Sequence, residues 1–318
     1  MKILMLTEND PAGVGVLFAR AVNGLTGHSC RLVTTQTRYT HGFDKDLHIP
    51  WLDQTGLDEV EELLRESDVF HFHLLADEDY SFGPFRARDF MRGKRIVHHH
   101  HGHPDFRANP EKYRAKYRAR KRDKLLVSTP DLLLMLPEAR WIPNLVPIMD
   151  PLYTPAKKNG NGCLRVAHSP TRKELKNTDE LIRTVEKLNA GSPRTRVELD
   201  MQDDIPHREC LERKRRCHAL FDHMQGYYGV SSLEGLSQGL PTIAGLDDWN
   251  SSRIRDFFGC DDLPWLAARN SSELEQVLLG LARDPAKREE AGRKSRVFME
   301  KYWNEENIVS RLIDFYEN

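Results

Sequence analysis

Short apolar runs alternate with amphipathic stretches along most of the chain, which predicts parallel strands covered by helices. Lys2 to Thr7 reads as a buried strand. Pro11-Ala-Gly13-Val-Gly15 then supplies a turn, and an apolar helix follows from about Val16 to Leu25. Strand, glycine loop and helix in that order open a doubly wound sheet, although the spacing is not Gly-x-Gly-x-x-Gly. Further strands are expected at Cys30 to Thr35, Asp68 to His73 and Arg95 to His101, and a fifth from Leu125 leads into a helix. A helix over Leu57 to Glu66 presents Leu57, Val60, Leu63 and Leu64 at helical spacing.

The pattern breaks at Pro151 to Gly162, a Pro-, Gly-, Asn- and Lys-rich stretch that reads as a linker. It restarts with a strand at Cys163 to His168, a polar loop from Ser169 to Thr178 and a helix from Asp179 to about Asn189. Arg196 to Asp200 reads as a strand and Pro206 to Cys217 as a charged helix. Asp222 to Gly245 (DHMQGYYGVSSLEGLSQGLPTIAG) then reads as a turn, a loop with Gly226 and Gly229, a helix to about Gln238 and the strand Thr242-Ile-Ala244. Ser231 or Ser232 is the expected cap of that helix, with Glu234 in its first turn, and free amides at such a start suit a phosphate. Ser272-x-x-Glu275 reads as a capping box, and closing helices are expected over Pro285 to Tyr302 and Asn304 to Tyr316.

Composition narrows the class. The chain has 318 residues, 39% hydrophobic and 30% charged, which fits a globular protein of two domains. Its net charge of −1 gives no global field selecting a polyanion. Five scattered Cys without a Cys-x-x-Cys pair, and no apolar stretch long enough for a bilayer, fit a cytoplasmic protein with reduced thiols.

Two stretches invite chemistry of their own. The His71, His73 and His98 to His101 positions suggest a metal site, since imidazole binds zinc or nickel. Successive strand residues point to opposite faces, so at most alternate histidines converge, and neither Cys nor a His-Glu-x-x-His pattern joins them. The expectation is a strand end with partly exposed histidines and no metal. In Lys112 to Lys124 (KYRAKYRARKRDK), eight of thirteen residues are Lys or Arg. A solvated helix is expected, with a peripheral contact to an anionic membrane surface as the alternative; specific nucleic-acid binding is not expected without a groove-reading motif.

The Asp222 to Gly245 stretch resembles the donor segment of family-4 glycosyltransferases of the GT-B fold, with Glu234, Gly239 and Pro241 in the family's order. The family's earlier Glu is replaced by Gly226. A sub-group pattern matches Asp222, Gly226, Tyr227, Tyr228 and Gly229 more closely. HHHHGHPDFR resembles the family's His-Gly-Ser-Asp-x-Arg strand end, with one extra residue before Asp105. STPDL and WIPN-x-V, at Ser128 and Trp141 onward, match the passage near the end of its first domain.

The resemblance implies two Rossmann-like, doubly wound parallel-sheet domains facing across a cleft: residues 1–150 for the acceptor, a linker at 151–162 within a hinge at 147–162, and 163–300 for a nucleotide-sugar. The last helix, 301–318, is expected to pack back on the first domain through Ile308, Leu312, Ile313 and Phe315. The implied activity is metal-independent retaining transfer of a hexose-like sugar from a UDP- or GDP-sugar to an acceptor such as a glycan or lipid-linked sugar, in the cytoplasm and with no cofactor; the basic run Lys112 to Lys124 adds peripheral contact with the inner face of the membrane as the alternative. Catalytic roles fall to His101 (His100 in the alternative register), to Arg172 or Lys173, and to Lys176, which matches the family's Lys while Asn177 replaces its Gly. Donor binding falls to Glu234, Lys173, Tyr228, Gly229, Val230 and Ser231. Gly13, Gly15, Asp105 and Arg107 would line the acceptor side. An epimerase or hydrolase of the same fold, a non-catalytic nucleotide-sugar binder, and a metal- or nucleic-acid-binding protein are the rival readings.

Overall fold

A computed structural model describes residues 1–38, 42–158, 163–191 and 196–318. It divides into two units: residues 1–145 with 305–318, and residues 146–304.

The first unit holds strands β1 (Lys2–Thr7), β2 (Ser29–Thr34), β3 (Leu47–His48), β4 (Val69–His73), the hairpin β5 (Ser81–Phe82) and β6 (Phe85–Arg86), β7 (Arg95–His100), β8 (Leu125–Val127) and β9 (Arg140–Trp141). All but the hairpin form one sheet in the order β3-β2-β1-β4-β7-β8-β9, and its pairs are parallel. Its helices are α1 (Val14–Leu25), α2 (Gln54–Glu66), α3 (Pro104–Ala108), α4 (Pro110–Arg120) and α11 (Glu305–Glu317). Alternation along the strands sorts residues between faces. Leu4, Leu6, Phe70 and Phe72 share a core with Val60 and Leu64 of α2. His71 and His99 face the opposite way, where Phe18 of α1 and Tyr316 of α11 pack on them. In α11, Ile308, Leu312, Ile313 and Phe315 are buried.

The second unit holds β10 (Leu164–His168), β11 (Val197–Met201), β12 (Ala219–Phe221), β13 (Thr242–Ala244) and β14 (Leu266–Ala267), all parallel, in the order β11-β10-β12-β13-β14. Its helices are α5 (Thr178–Gly191), α6 (His207–Lys214), α7 (Val230–Ser237), α8 (Asp248–Phe258), α9 (Ser271–Arg283) and α10 (Pro285–Lys301). Leu181, Val185 and Leu188 of α5 and Leu274, Leu278 and Leu281 of α9 share a core with Val166, Phe221 and Ile243. On the other face α7 comes so close that a Cβ on Gly235 would lie 2.9 Å from Thr242 Oγ1 and 3.1 Å from Leu220. The α/β expectation with two parallel sheets holds.

Details differ from the sequence reading. The helix expected after Thr129 is a short 3-10 turn, Pro130–Leu134. The capping box is displaced by two residues: Asn270 caps α9 by accepting from the Glu273 amide. The expected linker includes residues 159–162, which lie outside the described residues; ahead of them Pro151–Tyr153 forms a 3-10 turn. Among the described residues no helix is long and apolar enough to cross a membrane.

Candidate active site

In an open parallel sheet, ligands bind beyond the carboxyl ends of the strands where the strand order reverses. In the second unit that point lies between β10 and β12, and the loops that follow them meet there. Lys176 Nζ donates to Asp222 Oδ1 at 2.8 Å. The other carboxylate oxygen, Oδ2, accepts from the Gly229 amide at 2.6 Å and from Ser232 Oγ at 2.8 Å. Burial pulls the Asp222 carboxyl upward, but the charges of His223 and Lys176 outweigh it and hold the group below the usual carboxylate range. A Cβ on Gly229 would lie 2.9 Å from Lys176 Nζ and 3.1 Å from Asp222 Oδ1, so a side chain there would push the Lys176 ammonium aside.

One turn further on, Glu234 forms a second buried set. His207 Nε2 lies 2.7 Å from its Oε1, and Lys214 Nζ donates to its Oε2. Lys214 also reaches Ser231 Oγ at 3.2 Å. The Lys214 side chain is 0% exposed, so the lysine can stay charged only because the carboxylate neutralises it. Burial raises the Glu234 carboxyl while Lys214 and then His207 lower it, and the net shift is downward.

Several sequence assignments change. Helix α7 begins at Val230 with Gly229 as its cap, neither serine caps it, and Glu234 stands beyond its first turn. The Gly229 amide, expected to hold phosphate, is already spent on Asp222. The Tyr228 ring is 1% exposed and packs on Trp265 and Trp303, so its side chain belongs to an aromatic core and not to a donor surface. Lys173 pairs with Asp203. Arg172 caps the 3-10 turn Lys173–Leu175 and is exposed. Val230 and Ser231 form the first turn of α7. Asn177 adopts φ 52, a left-handed conformation that Gly favours and Asn tolerates, and its Oδ1 accepts from the Met224 amide at 2.9 Å. Gly226 has φ 86, and a Cβ there would lie 3.0 Å from Asp247 Oδ2, so this loop is built for glycine and not for the family's Glu.

In the first unit, Gly13 caps α1 at φ 64, and Asp10 accepts from the Gly15 amide at 3.1 Å and the Val16 amide at 3.0 Å. A carboxylate from the chain itself thus occupies the start of the helix whose glycines were expected to line the acceptor side. Asp105 lies in α3 and accepts from Tyr113 Oη and Lys112 Nζ; Arg107 pairs with Asp131 at 2.6 Å and donates to the Gly102 carbonyl at 3.2 Å. Both side chains are therefore committed to holding α3 in place.

The histidines are more buried than expected. His71, His73, His98, His99 and His100 are each at most 3% exposed, and only His101 at the strand end is partly accessible. His98 lies 3.3 Å from Glu78, and His100 reaches Tyr117 Oη at 2.7 Å on the face covered by α4. On the opposite face His101 Nε2 lies 2.9 Å from His73 Nδ1, and His73 stacks on His71 with ring centres 4.2 Å apart. Burial pushes His71, His73 and His99 well below the ordinary imidazole range, and His101 down to about 4, which leaves all four neutral near pH 7.

The basic helix is also corrected. Lys112 pairs with Asp105, Arg114 with Glu111 and Glu138, Lys116 with Asp77, Arg120 with Glu78 and Asp79, and Arg122 with Glu78. Tyr113 and Tyr117 are buried beneath it. The charge that suggested an anionic surface is largely spent inside the unit.

Sequence reasoning missed Asp222 as the centre of the first set, and Lys214 and His207 as partners of Glu234. A lysine at the end of HRECLERK carries no local sign that it is buried, but its spacing from Cys210 and Leu211 places all three on the inward stripe of α6.

No protein-family profile matches the sequence, and no curated protein matches it. Solved structures do. The chain is similar to a glycosyltransferase from Rickettsia africae, with a TM-score of 0.62 and 10% identity over 99% of this chain and 97% of that one. It is similar to Anabaena Alr3699/HepE in complex with UDP and glucose, with a TM-score of 0.61 and 12% identity over 99% and 98% of the two chains. For S. aureus TarM in complex with fondaparinux, alpha-GlcNAc-glycerol and UDP the TM-score is 0.57 and the identity 18%, and the match covers 82% of this chain but 58% of TarM. The fold is that of the GT-B glycosyltransferases.

Proposed function

We propose that the protein transfers a sugar from a nucleoside-diphosphate sugar to an acceptor, with retention at the anomeric carbon and without a metal at the diphosphate. The observation that carries this reading is the pair of polar sets around α7, Lys176–Asp222–Gly229 and Glu234–Lys214–His207, at the strand-order reversal of a fold shared with UDP-bound glycosyltransferases.

Each set has capacity left for a ligand. An ionised carboxylate offers about four lone-pair sites. Lys214 and His207 use one on each oxygen of Glu234, which leaves one on each for the ribose hydroxyls. Lys176 has three N–H donors, of which Asp222 takes one, and its side chain remains 23% exposed. The ammonium thus supplies a fixed positive charge where the leaving diphosphate gains negative charge, and stabilisation that grows along the reaction lowers the barrier. The role of Asp222 is to aim that ammonium. Arg172 is the second cation we assign to the diphosphate. His101, neutral at working pH, both accepts and donates hydrogen bonds, and we assign it to the hydroxyls of the donor sugar. The acceptor hydroxyl attacks the face from which the diphosphate leaves, and a phosphate oxygen takes its proton, so no side-chain nucleophile is needed.

The test is binding followed by turnover. UDP, GDP and their sugar conjugates are screened by thermal shift, since a ligand in excess of its Kd raises stability. One nucleoside diphosphate is expected to stabilise the protein and its sugar conjugate to yield a glycosylated acceptor. Lys176→Ala is expected to weaken diphosphate binding about tenfold or more, equivalent to about 1.4 kcal/mol. Unchanged affinity in that variant overturns the site assignment; free sugar or an epimer in place of a transfer product overturns the reaction.

A further inference from the structure

We infer that His71, His73 and His99 form a binding site for a divalent transition-metal ion, with zinc as the ion the donors suit first. The inference does not depend on the transferase reading, and nothing in that mechanism uses the ion.

The placement follows from strand geometry. β4 and β7 are parallel neighbours in a register that sets His73 directly beside His99. The period of two puts His71 on the same face as His73. The rings gather accordingly, with centres 4.2 Å apart for His71 and His73, 5.3 Å for His71 and His99, and 5.4 Å for His73 and His99. One ring nitrogen from each of the three lies within 4.8 Å of the other two.

Three neutral imidazoles could be ordinary packing if their nitrogens were satisfied, but they are not. His71 Nε2, His73 Nε2 and both nitrogens of His99 are buried without a hydrogen-bond partner. Native interiors rarely leave such groups unpaired, because each has lost its water for nothing. The remaining nitrogens of the pair on β4 are held: His71 Nδ1 by Tyr316 Oη at 2.6 Å, and His73 Nδ1 by His101 Nε2 at 2.9 Å. One nitrogen fixed by a polar partner and the other left open is the usual arrangement of a metal-ligating histidine. Zinc binds imidazole nitrogen at about 2.0–2.1 Å, so nitrogens around a tetrahedral ion stand about 3.3 Å apart. Ring rotations of the order of 1.5 Å at the nitrogens close the cluster on an ion. The set has no thiolate or carboxylate, which favours zinc, copper, nickel or cobalt over magnesium or calcium. Three protein ligands leave the fourth position of a tetrahedral zinc ion to water; the His101 ring lies 4.2 Å from His99.

The test uses tag-free full-length protein stripped with chelator and dialysed. Zinc is added in excess, the protein is separated by gel filtration, and bound metal is counted by elemental analysis. Cobalt(II) serves as the spectroscopic probe. We expect one zinc per chain, a visible absorption band of four-coordinate cobalt, and at least tenfold weaker binding in His73→Gln and His99→Gln. His103→Gln, which removes a nearby imidazole outside the cluster, should retain the ion. A wild-type chain that holds no stoichiometric zinc and gives no four-coordinate cobalt band overturns the proposal without recourse to any variant. So does full binding by folded His99→Gln.

Discussion

The strand-end histidines of the first unit and the start of α7 in the second solve the same problem in opposite ways. Both bury polar side chains at the carboxyl ends of parallel strands. Around α7 every charge faces an opposite one: Lys176 with Asp222, and Lys214 with Glu234. Beside β4 and β7 there is no carboxylate among His71, His73 and His99, and the imidazoles meet desolvation by staying neutral. The first solution fixes charge in place, which suits a ligand that carries charge of its own. The second keeps donor atoms uncharged and unshared, which suits a Lewis acid.

The sharpest way to break the comparison is to unpair a charge. Lys214→Met leaves Glu234 buried with His207 alone, and losing one partner of a buried pair costs about 3–5 kcal/mol. Denaturant unfolding should show that loss in the second unit, and the double variant Lys214→Met with Glu234→Leu should recover most of it. A single-variant loss below about 1 kcal/mol would mean that water already reaches the pair. Glu234→Ala is accordingly a poor probe of nucleotide binding, since it strands Lys214.

Acid titration sharpens the same contrast. Asp222 and Glu234 have folded pKa values below their ordinary ones, 3.8 and 4.5. Each therefore adds stability that is fully present above its ordinary value and is lost as pH falls toward the folded value. Thermal midpoints between pH 5.5 and 2.5 should fall steeply in the wild type. Asp222→Asn should start lower and fall by markedly less. Parallel curves would show that Asp222 is not the group being protonated.

The smallest effect concerns the missing glutamate. Gly226→Glu restores the residue of the family's pattern, yet at φ 86 a side chain costs about 1–2 kcal/mol. Lower stability with no gain in nucleotide affinity is expected; a tighter donor complex would show that the loop can be rebuilt.

Fold and site differ in how far the sequence revealed them. Alternating apolar runs announced β1, β4, β7 and β10 because each strand is buried on both faces and carries its own signal. Helix α8 left little trace, since of DWNSSRIRDFF only Asn250 and Ile254 are buried. Lys176 and Gly229 were legible as a loop cation and a loop glycine. Their joint purpose was not, because Asp222, which binds both, stands 46 residues from Lys176. Lys214 was read as part of a charged helix, where exposure is the ordinary fate of a lysine, and only tertiary packing shows the exception. The histidines were placed on the correct faces by the period of two, but their burial depends on α1 and α11, which close over them from distant parts of the chain.

The membership of α11 in the first unit bears on the order of synthesis. The chain builds residues 1–145, then the whole second unit, and only then the helix that completes the first. While the protein is being made, the part of the first sheet that α11 covers stays open, although α1 is already in place. His71 waits 245 residues for the tyrosine that holds it. The second unit, continuous in sequence, can fold as soon as it emerges. A nascent chain stalled before Glu305 should therefore protect the second unit from protease and leave the first one cleavable.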